Sequence, residues 1–314
     1  MPLVTGIPHL AQTRVAPGLA VTRRCRDHLL ASQQMDGTWR FPISEVWDTG
    51  LMVRAFRGHP GFETGAPAGA MEFLVSAQNG DGGWSCTAPL DTDNDTTGNT
   101  LLALAGTPWI GRVSAAAAGY ARAHQTPQGL WTTWQSSDDT PVPDVVAHMV
   151  AGVSAVALPG IDLGPAYRWL AELGAQGRRE SDWYIPPAYS AAKMGPAVAS
   201  PAARRAALVE LLATQRAEGG WPRIPGEPYS SPTATGLALS ALTAGGHIVP
   251  DTALEQAVRF LIDTQTHDGT WSDLPVMYGP RPFLTVTATH VHALPARGLR
   301  DALLPAQDGT GAGR

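Results

Sequence analysis

Five segments of the 314-residue chain end alike, and that recurrence limits its fold more than any other feature. Residues 29–39 read LLASQQMDGTW, 73–84 FLVSAQNGDGGW, 124–131 HQTPQGLW, 211–221 LLATQRAEGGW and 260–271 FLIDTQTHDGTW. In each, a Gln stands six residues before a Trp: Gln33, Gln78, Gln125, Gln215 and Gln265 before Trp39, Trp84, Trp131, Trp221 and Trp271. A weaker copy, Gln176 before Trp183, fills the long gap. Six repeats, spaced by 38 to 52 residues from Trp to Trp, cover almost the whole chain. A period of that size means stacked supersecondary units.

Every repeat has the same grammar. An Ala/Leu-rich stretch with helical spacing of apolar residues precedes the Gln. A Gly turn ends that helix, and a Pro/Ser/Asp-rich loop follows. A second helix then starts among Asp, Ser and Thr, which cap helices. Its clearest copies are 48–56 (DTGLMVRAF), 97–105 (TGNTLLALA) and 235–242 (TGLALSAL). These second helices are small and apolar nearly all round, as buried inner helices are, whereas the first carry Arg and Glu on one face. No segment alternates with a period of two. The pattern predicts an all-α chain of about twelve helices: a single α/α toroid, or α6/α6 barrel, of six helix hairpins. It spans 1–302 as one domain, with a disordered tail at 303–314. The Gln and Trp of each repeat are read as a structural staple, the amide bonding carbonyls at a helix end beneath the indole.

Composition removes other classes. The net charge of −5 and the lack of a basic run argue against nucleic acid as a partner. Only Lys193 among the 22 Lys and Arg is lysine. No window approaches eighteen unbroken apolar residues, so no membrane span is expected. Cys25 and Cys86 cannot build a disulfide framework, and the N-terminal stretch lacks a secretory plan, so the expected location is cytoplasmic. His290 and His292, two apart on a helix, face different sides, and no zinc site emerges. His148, in an apolar stretch, is read as a satisfied core residue. Asp91, Asp93 and Asp95 match the first three ligands of a calcium loop, but Thr96 and Leu102 stand where its Gly and Glu belong. Asp138 and Asp139 read as a solvated turn.

The Gln-x5-Trp spacing resembles the QW motif of squalene–hopene cyclases, oxidosqualene cyclases and other class II terpene cyclases. Two further segments share the resemblance. EVWDTGL at 45–51 is close to a VWDTAL-type segment, and DTDNDTTGNTLLALA at 91–105 lies where these enzymes carry Asp-x-Asp-Asp-Thr. Aligning Leu-Ala-Leu at 102–104 sets Asp93–Thr97 onto that motif. The resemblance then implies Asp95 as the general acid, with Asp93 beside it and Thr96 in place of the last Asp. A rival register makes Asp93 the acid.

The implied activity is protonation of an alkene in a linear isoprenoid, a prenyl diphosphate or a prenylated small molecule, to start carbocation cyclisation. So weak a base requires a dry, protonated acid, which burial and neighbouring carboxylates favour. The cation must be shielded from water and faced by aromatic rings. Trp47 is the leading candidate, and Asp48, Thr96, Asn99 and Tyr189 complete the substrate-binding set. Phe56, Trp134, Tyr229 and Phe283 are weaker candidates. Protonation needs no cofactor, and a diphosphate substrate would bring Mg2+, with Arg40, Arg223 or Arg281 to hold it. The family's cavity lies between two toroids, so either this single toroid encloses its own cavity or a partner chain or homo-oligomer closes it. Two alternatives stay open: a non-catalytic toroid binding an isoprenoid or partner protein, and acid-initiated cyclisation of a non-terpene polyene.

Overall fold

The computed structural model describes residues 12–39, 44–58, 66–88, 90–136, 139–178, 181, 183–197, 201–245, 249–274, 276–277 and 288–304. Arg40, Asp138, Arg281, Phe283 and the tail beyond residue 304 lie outside them. Twelve α-helices occur among the described residues. In order they are α1 (Gln12–Ala31), α2 (Glu45–Phe56), α3 (Ala66–Ser76), α4 (Asn94–Leu104), α5 (Ser114–Ala123), α6 (Pro143–Val156), α7 (Gly164–Ala175), α8 (Pro187–Ala197), α9 (Pro201–Ala213), α10 (Pro232–Gly245), α11 (Asp251–Thr264) and α12 (Ala288–Leu303). The described strands are the short antiparallel pair Trp221–Pro222 and Ser230–Ser231.

Helices α2, α4, α6, α10 and α12 are the buried ones. In α2 every residue from Val46 to Phe56 is buried, and in α4 all but Asp95 and Leu102 are. Helix α11 is amphipathic instead, burying Ala253, Leu254, Ala257, Val258 and Leu261 at steps of three and four. Helices α2, α4 and α10 each begin three residues before their apolar pattern suggests. In α4 and α10 the residue just before the helix satisfies an orphan N–H group, whereas in α2 the Val46 N–H donates to the Cys86 carbonyl. The Asp93 carboxylate accepts the Thr96 N–H at 2.6 Å, and Ser231 Oγ accepts that of Ala234 at 3.0 Å.

Sequence suggests one domain over 1–302, whereas the contacts divide into two compact units. One comprises Met1–Ser32, Arg179–Gly195 and Ser200–Gln307, and the other Gln33–Arg178, Pro196–Ala199 and Asp308–Arg314. In the first, α1 packs on α11 and α12, and α10 on α9, α11 and α12. In the second, α2 packs on α3 and α4, α4 on α6, and α6 on α5 and α7.

The repeat motif is a staple, with the two partners' duties exchanged relative to expectation. The helix-end carbonyls are taken by Trp. The Nε1 atoms of Trp84, Trp131, Trp221 and Trp271 donate to Leu74, Ala121, Leu211 and Leu261 at 2.7, 3.0, 2.8 and 3.0 Å, in the last turns of α3, α5, α9 and α11. The Gln amide instead reaches forward. Gln78 donates to the Gly82 carbonyl of its own turn at 2.8 Å and to Val113, the cap of α5, at 3.1 Å. Gln125, Gln215 and Gln265 make the same two bonds, the second reaching Asp162, Ala253 and Val21. Gly82 shows why this turn needs glycine: its φ is +96°, and a Cβ would lie 2.3 Å from the Ala116 carbonyl oxygen.

The Trp backbone is held too. Trp39, Trp84 and Trp221 donate their N–H groups to Thr49, Thr97 and Thr235 Oγ1 at 3.3, 2.9 and 3.0 Å. Thr97 is therefore a structural member of the DTDNDTT segment. The weak sixth copy lacks this order: Gln176 is exposed, and the buried Trp183 Nε1 has no hydrogen-bond partner among the described residues.

Candidate active site

In the second unit, α4 and α6 touch backbone to backbone. A Cβ on Gly98 would lie 2.6 Å from the His148 carbonyl carbon, and one on Gly152 would lie 2.7 Å from the Gly98 oxygen. Only glycine permits that approach. It brings Asp95, in the first turn of α4, against His148 in the middle of α6. His148 Nδ1 lies 2.5 Å from Asp95 Oδ1, with the imidazole 1% and the carboxylate 14% exposed. The Trp47 ring meets the imidazole edge-on, centroids 5.4 Å apart. Asp95, His148 and Trp47 thus come from three successive buried helices. Sequence reading left His148 in the core. Its one legible signal was a lone imidazole in the apolar run VVAHMVAGV, and the glycine contact that pairs it with Asp95 leaves no mark in a single sequence.

Asp93 does different work. It is 3% exposed, caps α4 through the Thr96 N–H, and its second oxygen accepts the Cys86 N–H at 3.2 Å. Burial pushes its carboxyl up to about 7, and the Asp95 charge adds to the rise. The neighbouring carboxylates are two, not three, because Asp91 is exposed.

The substrate-binding candidates separate. Trp47 joins the acid. Asp48 is wholly buried and accepts from Ser44 Oγ at 2.5 Å, so it is neither a helix cap nor solvated. Thr96 is buried behind the Asp93 cap. Asn99 bridges α2 and α4: its Oδ1 accepts from Arg54 Nη1 at 2.6 Å and its Nδ2 donates to the Trp47 carbonyl at 3.1 Å. Both ends of that amide are engaged within the protein. Tyr189 belongs to the first unit. It stacks on Tyr184 at 3.6 Å and 9°, and Tyr184 Oη lies 2.8 Å from His290 Nε2.

Of the weaker candidates, Phe56 is buried in α2 and Tyr229 is exposed. Trp134 is half-buried, its backbone N–H held by the Asp139 carboxylate at 2.6 Å, so Asp139 anchors a loop. Arg223 is paired with Glu227. His290 and His292 do face different ways: His292 accepts the Trp271 N–H at 3.4 Å and meets the His28 ring. Among the described residues no group of three or more His, Cys, Asp or Glu is placed to hold a metal ion, and no helix is long and apolar enough to cross a membrane.

No protein-family model matches the chain. A drimenyl diphosphate synthase of Streptantibioticus cattleyicolor is 30% identical over 266 residues, 75% of this chain and 47% of that protein. Among solved structures, a variant of the type II terpene cyclase MstE from Scytonema, in complex with geranylgeranyl dihydroxybenzoate (substrate), superposes with a TM-score of 0.74 at 17% identity, over 93% of this chain and 99% of its own. The ent-copalyl diphosphate synthase from Streptomyces platensis does so with a TM-score of 0.62 at 20% identity, over 82% of this chain and 50% of its own.

The chain is class II terpene cyclase-like in sequence and fold.

It shares the all-α, toroid-like fold of these cyclases. It spans about half the length of the drimenyl diphosphate synthase it matches over most of its own length. MstE, by contrast, is matched along nearly all of its chain, so in that cyclase one unit of this size makes up the solved structure.

Proposed function

We propose that this chain is a protonation-initiated cyclase acting on a linear polyprenyl substrate, with Asp95 as the acid. The observation that carries the reading is the Asp95–His148 pair beneath Trp47. With the imidazole proton on Nδ1 donated to Oδ1, the acid's own proton sits on Oδ2. Transfer from Oδ2 to an alkene carbon converts the π pair into a C–H bond and leaves a cation on the more substituted carbon. A second alkene of the same chain attacks that cation and closes a ring. The carboxylate left on Asp95 keeps its charge-assisted bond from Nδ1 and lies in the first turn of α4, where the helix dipole favours negative charge. Loss of a proton from the last cation restores the balance, so the reaction is an isomerisation and needs no oxidant or reductant. The Trp47 ring, packed on the imidazole that holds the acid, supplies the aromatic group nearest in the chain of contacts.

The names of the relatives narrow the substrate. They point to a farnesyl- or geranylgeranyl-length chain ending in a diphosphate or in an aromatic acid. Mg2+ would accompany a diphosphate, while the protonation itself uses only Asp95 and His148.

The test is incubation of the purified chain with farnesyl diphosphate, geranylgeranyl diphosphate and geranylgeranyl dihydroxybenzoate, with products read by mass spectrometry. A cyclic isomer from at least one is expected, lost in Asp95→Asn. Wild-type protein that converts none of them would leave the non-catalytic reading standing. Activity that survives Asp95→Asn but not Asp93→Asn would move the acid to Asp93.

A further inference from the structure

Asp95, His148 and Trp47 belong to a closed circuit of contacts whose fourth member is Asn99. The circuit runs from Asp95 Oδ1 to His148 Nδ1 on α6, and from that imidazole to the Trp47 ring on α2. The Trp47 carbonyl then accepts from Asn99 Nδ2, and one turn of α4 leads from Asn99 back to Asp95. The amide can sit only one way round. The Arg54 guanidinium has donors alone, so it meets Oδ1, at 2.6 Å, and Nδ2 is left for the Trp47 carbonyl, at 3.1 Å. Trp47 and Arg54 are two turns apart on α2. A helical carbonyl points toward the C-terminus and a side chain leans toward the N-terminus, so the two groups converge on the stretch between them. Gly50 stands in that stretch, and a Cβ on it would lie 2.8 Å from Asn99 Nδ2. The glycine is the notch that admits the amide. Asn99, Trp47 and Arg54 are all buried, so water does not compete for these bonds.

The repeated helix does not need an amide at this position. Its two other clear copies, Thr49-Gly50-Leu51 and Thr235-Gly236-Leu237, carry leucine where Thr97-Gly98-Asn99 carries asparagine. The polar residue stands in the copy that holds Asp95. We propose that Asn99 is a positioning residue for the protonation step. With its amide oriented by Arg54, it fixes the Trp47 backbone, so that the indole stays packed on His148 and His148 stays on Asp95 Oδ1. It acts through Trp47 and His148, not on the substrate. The link to protonation rests on the cyclase reading above; the hold of Asn99 on Trp47 does not.

The first measurement needs no substrate. In the full chain labelled with carbon-13 histidine, the His148 imidazole is one of nine signals and is assigned by its loss in His148→Leu. The indole ring current displaces that signal, and Trp47→Leu should abolish the displacement. Asn99→Asp keeps an acceptor for Arg54 but removes the donor to the Trp47 carbonyl, and should move the signal in the same direction. Asn99→Leu, which gives α4 the residue of the other copies, should do so too. Gln265→Leu, at a staple of the other unit, should leave it in place. The second measurement is kinetic. Asn99→Asp should lower kcat roughly tenfold in wild type, yet lower it no further in the Trp47→Leu enzyme, since a residue that acts through Trp47 has nothing left to place. The proposal is overturned if the His148 signal keeps its wild-type position in both Asn99 variants. It is equally overturned if Asn99→Asp slows the Trp47→Leu enzyme as much as it slows wild type. A signal that moves as expected, in a chain that cyclises no isoprenoid, would sink the cyclase reading and leave the hold of Asn99 on Trp47 in place.

Discussion

The helix pairs α4–α6 and α10–α12 are the same joint built twice. In the first, Gly98 meets the His148 backbone and Gly152 meets Gly98. In the second, a Cβ on Gly236 would lie 2.4 Å from the Leu294 oxygen, and one on Gly298 would lie 2.3 Å from the Gly236 oxygen. That register sets Thr233 opposite Asp95 and Leu294 opposite His148. It also sets Arg297 and Asp301 opposite Ala151 and Ala155, and Ser240 opposite Leu102. One pair carries an acid and its imidazole where the other has a hydroxyl and an isobutyl group. The second carries guanidinium and carboxylate where the first has methyl groups. The glycines fix how closely the helices cross, and the chemistry comes from the few polar residues placed around that crossing.

Substitutions can break or sharpen this comparison. The largest effect belongs to Asp95→Asn, expected to cut cyclisation roughly a thousandfold by loss of the acid, with the melting curve little changed. An Asp95→Asn enzyme of near-normal rate would remove the chemical distinction between the pairs.

Gly98→Ala and Gly236→Ala should each destabilise by about 3 kcal/mol, since the added methyl meets helix backbone, which cannot turn aside. Denaturant titration measures both. If only one of the two loses stability, the joints are not equivalent.

His148→Leu gives the first pair the residue of the second. Its product-formation rate should fall roughly a hundredfold while the chain still folds, because the carboxylate left after transfer loses its charge-assisted partner. A rate equal to wild type would make His148 a core residue after all.

A pH effect confined to the first pair comes from Asp93. Its folded pKa of about 7 lies above the ordinary aspartate value of 3.8. The neutral carboxyl thus favours folding fully below about pH 4, and this is lost as pH rises through 7. Wild type should lose about 2–3 kcal/mol more than Asp93→Asn between pH 5 and 8, read from denaturant midpoints. Equal slopes would refute the shift.

The smallest effect is Gln265→Leu, which removes two amide bonds and should cost about 1–2 kcal/mol by thermal melting.

The architecture was largely legible because a staple repeats. Gln78 and Gln265 make the same two bonds 187 positions apart in the chain, so each copy supports the reading of the others. Asp95 could be nominated from sequence because its motif sits at the start of a repeated helix. His148 was not, since nothing near it in sequence announces a carboxylate 53 residues away. The boundaries of α2, α4 and α10 were misplaced by one helical turn because the repeated small, apolar pattern starts only in their second turns. Asn99 was legible as a polar inner-helix residue but not as a bridge, because its partners Arg54 and the Trp47 carbonyl lie on another helix.

Gln265 donates to the Val21 carbonyl, 244 residues upstream. That bond orders events during synthesis. The unit built mainly from Gln33–Arg178 has nearly all its segments in hand before α10, α11 and α12 are made. The other unit joins α1 to α11 and α12, which follow it in the chain by more than two hundred residues. Helix α1 must therefore wait, with the apolar face that contains Val21, Cys25 and Leu29 uncovered, until those two helices emerge. Through that interval it is open to chaperones and to aggregation.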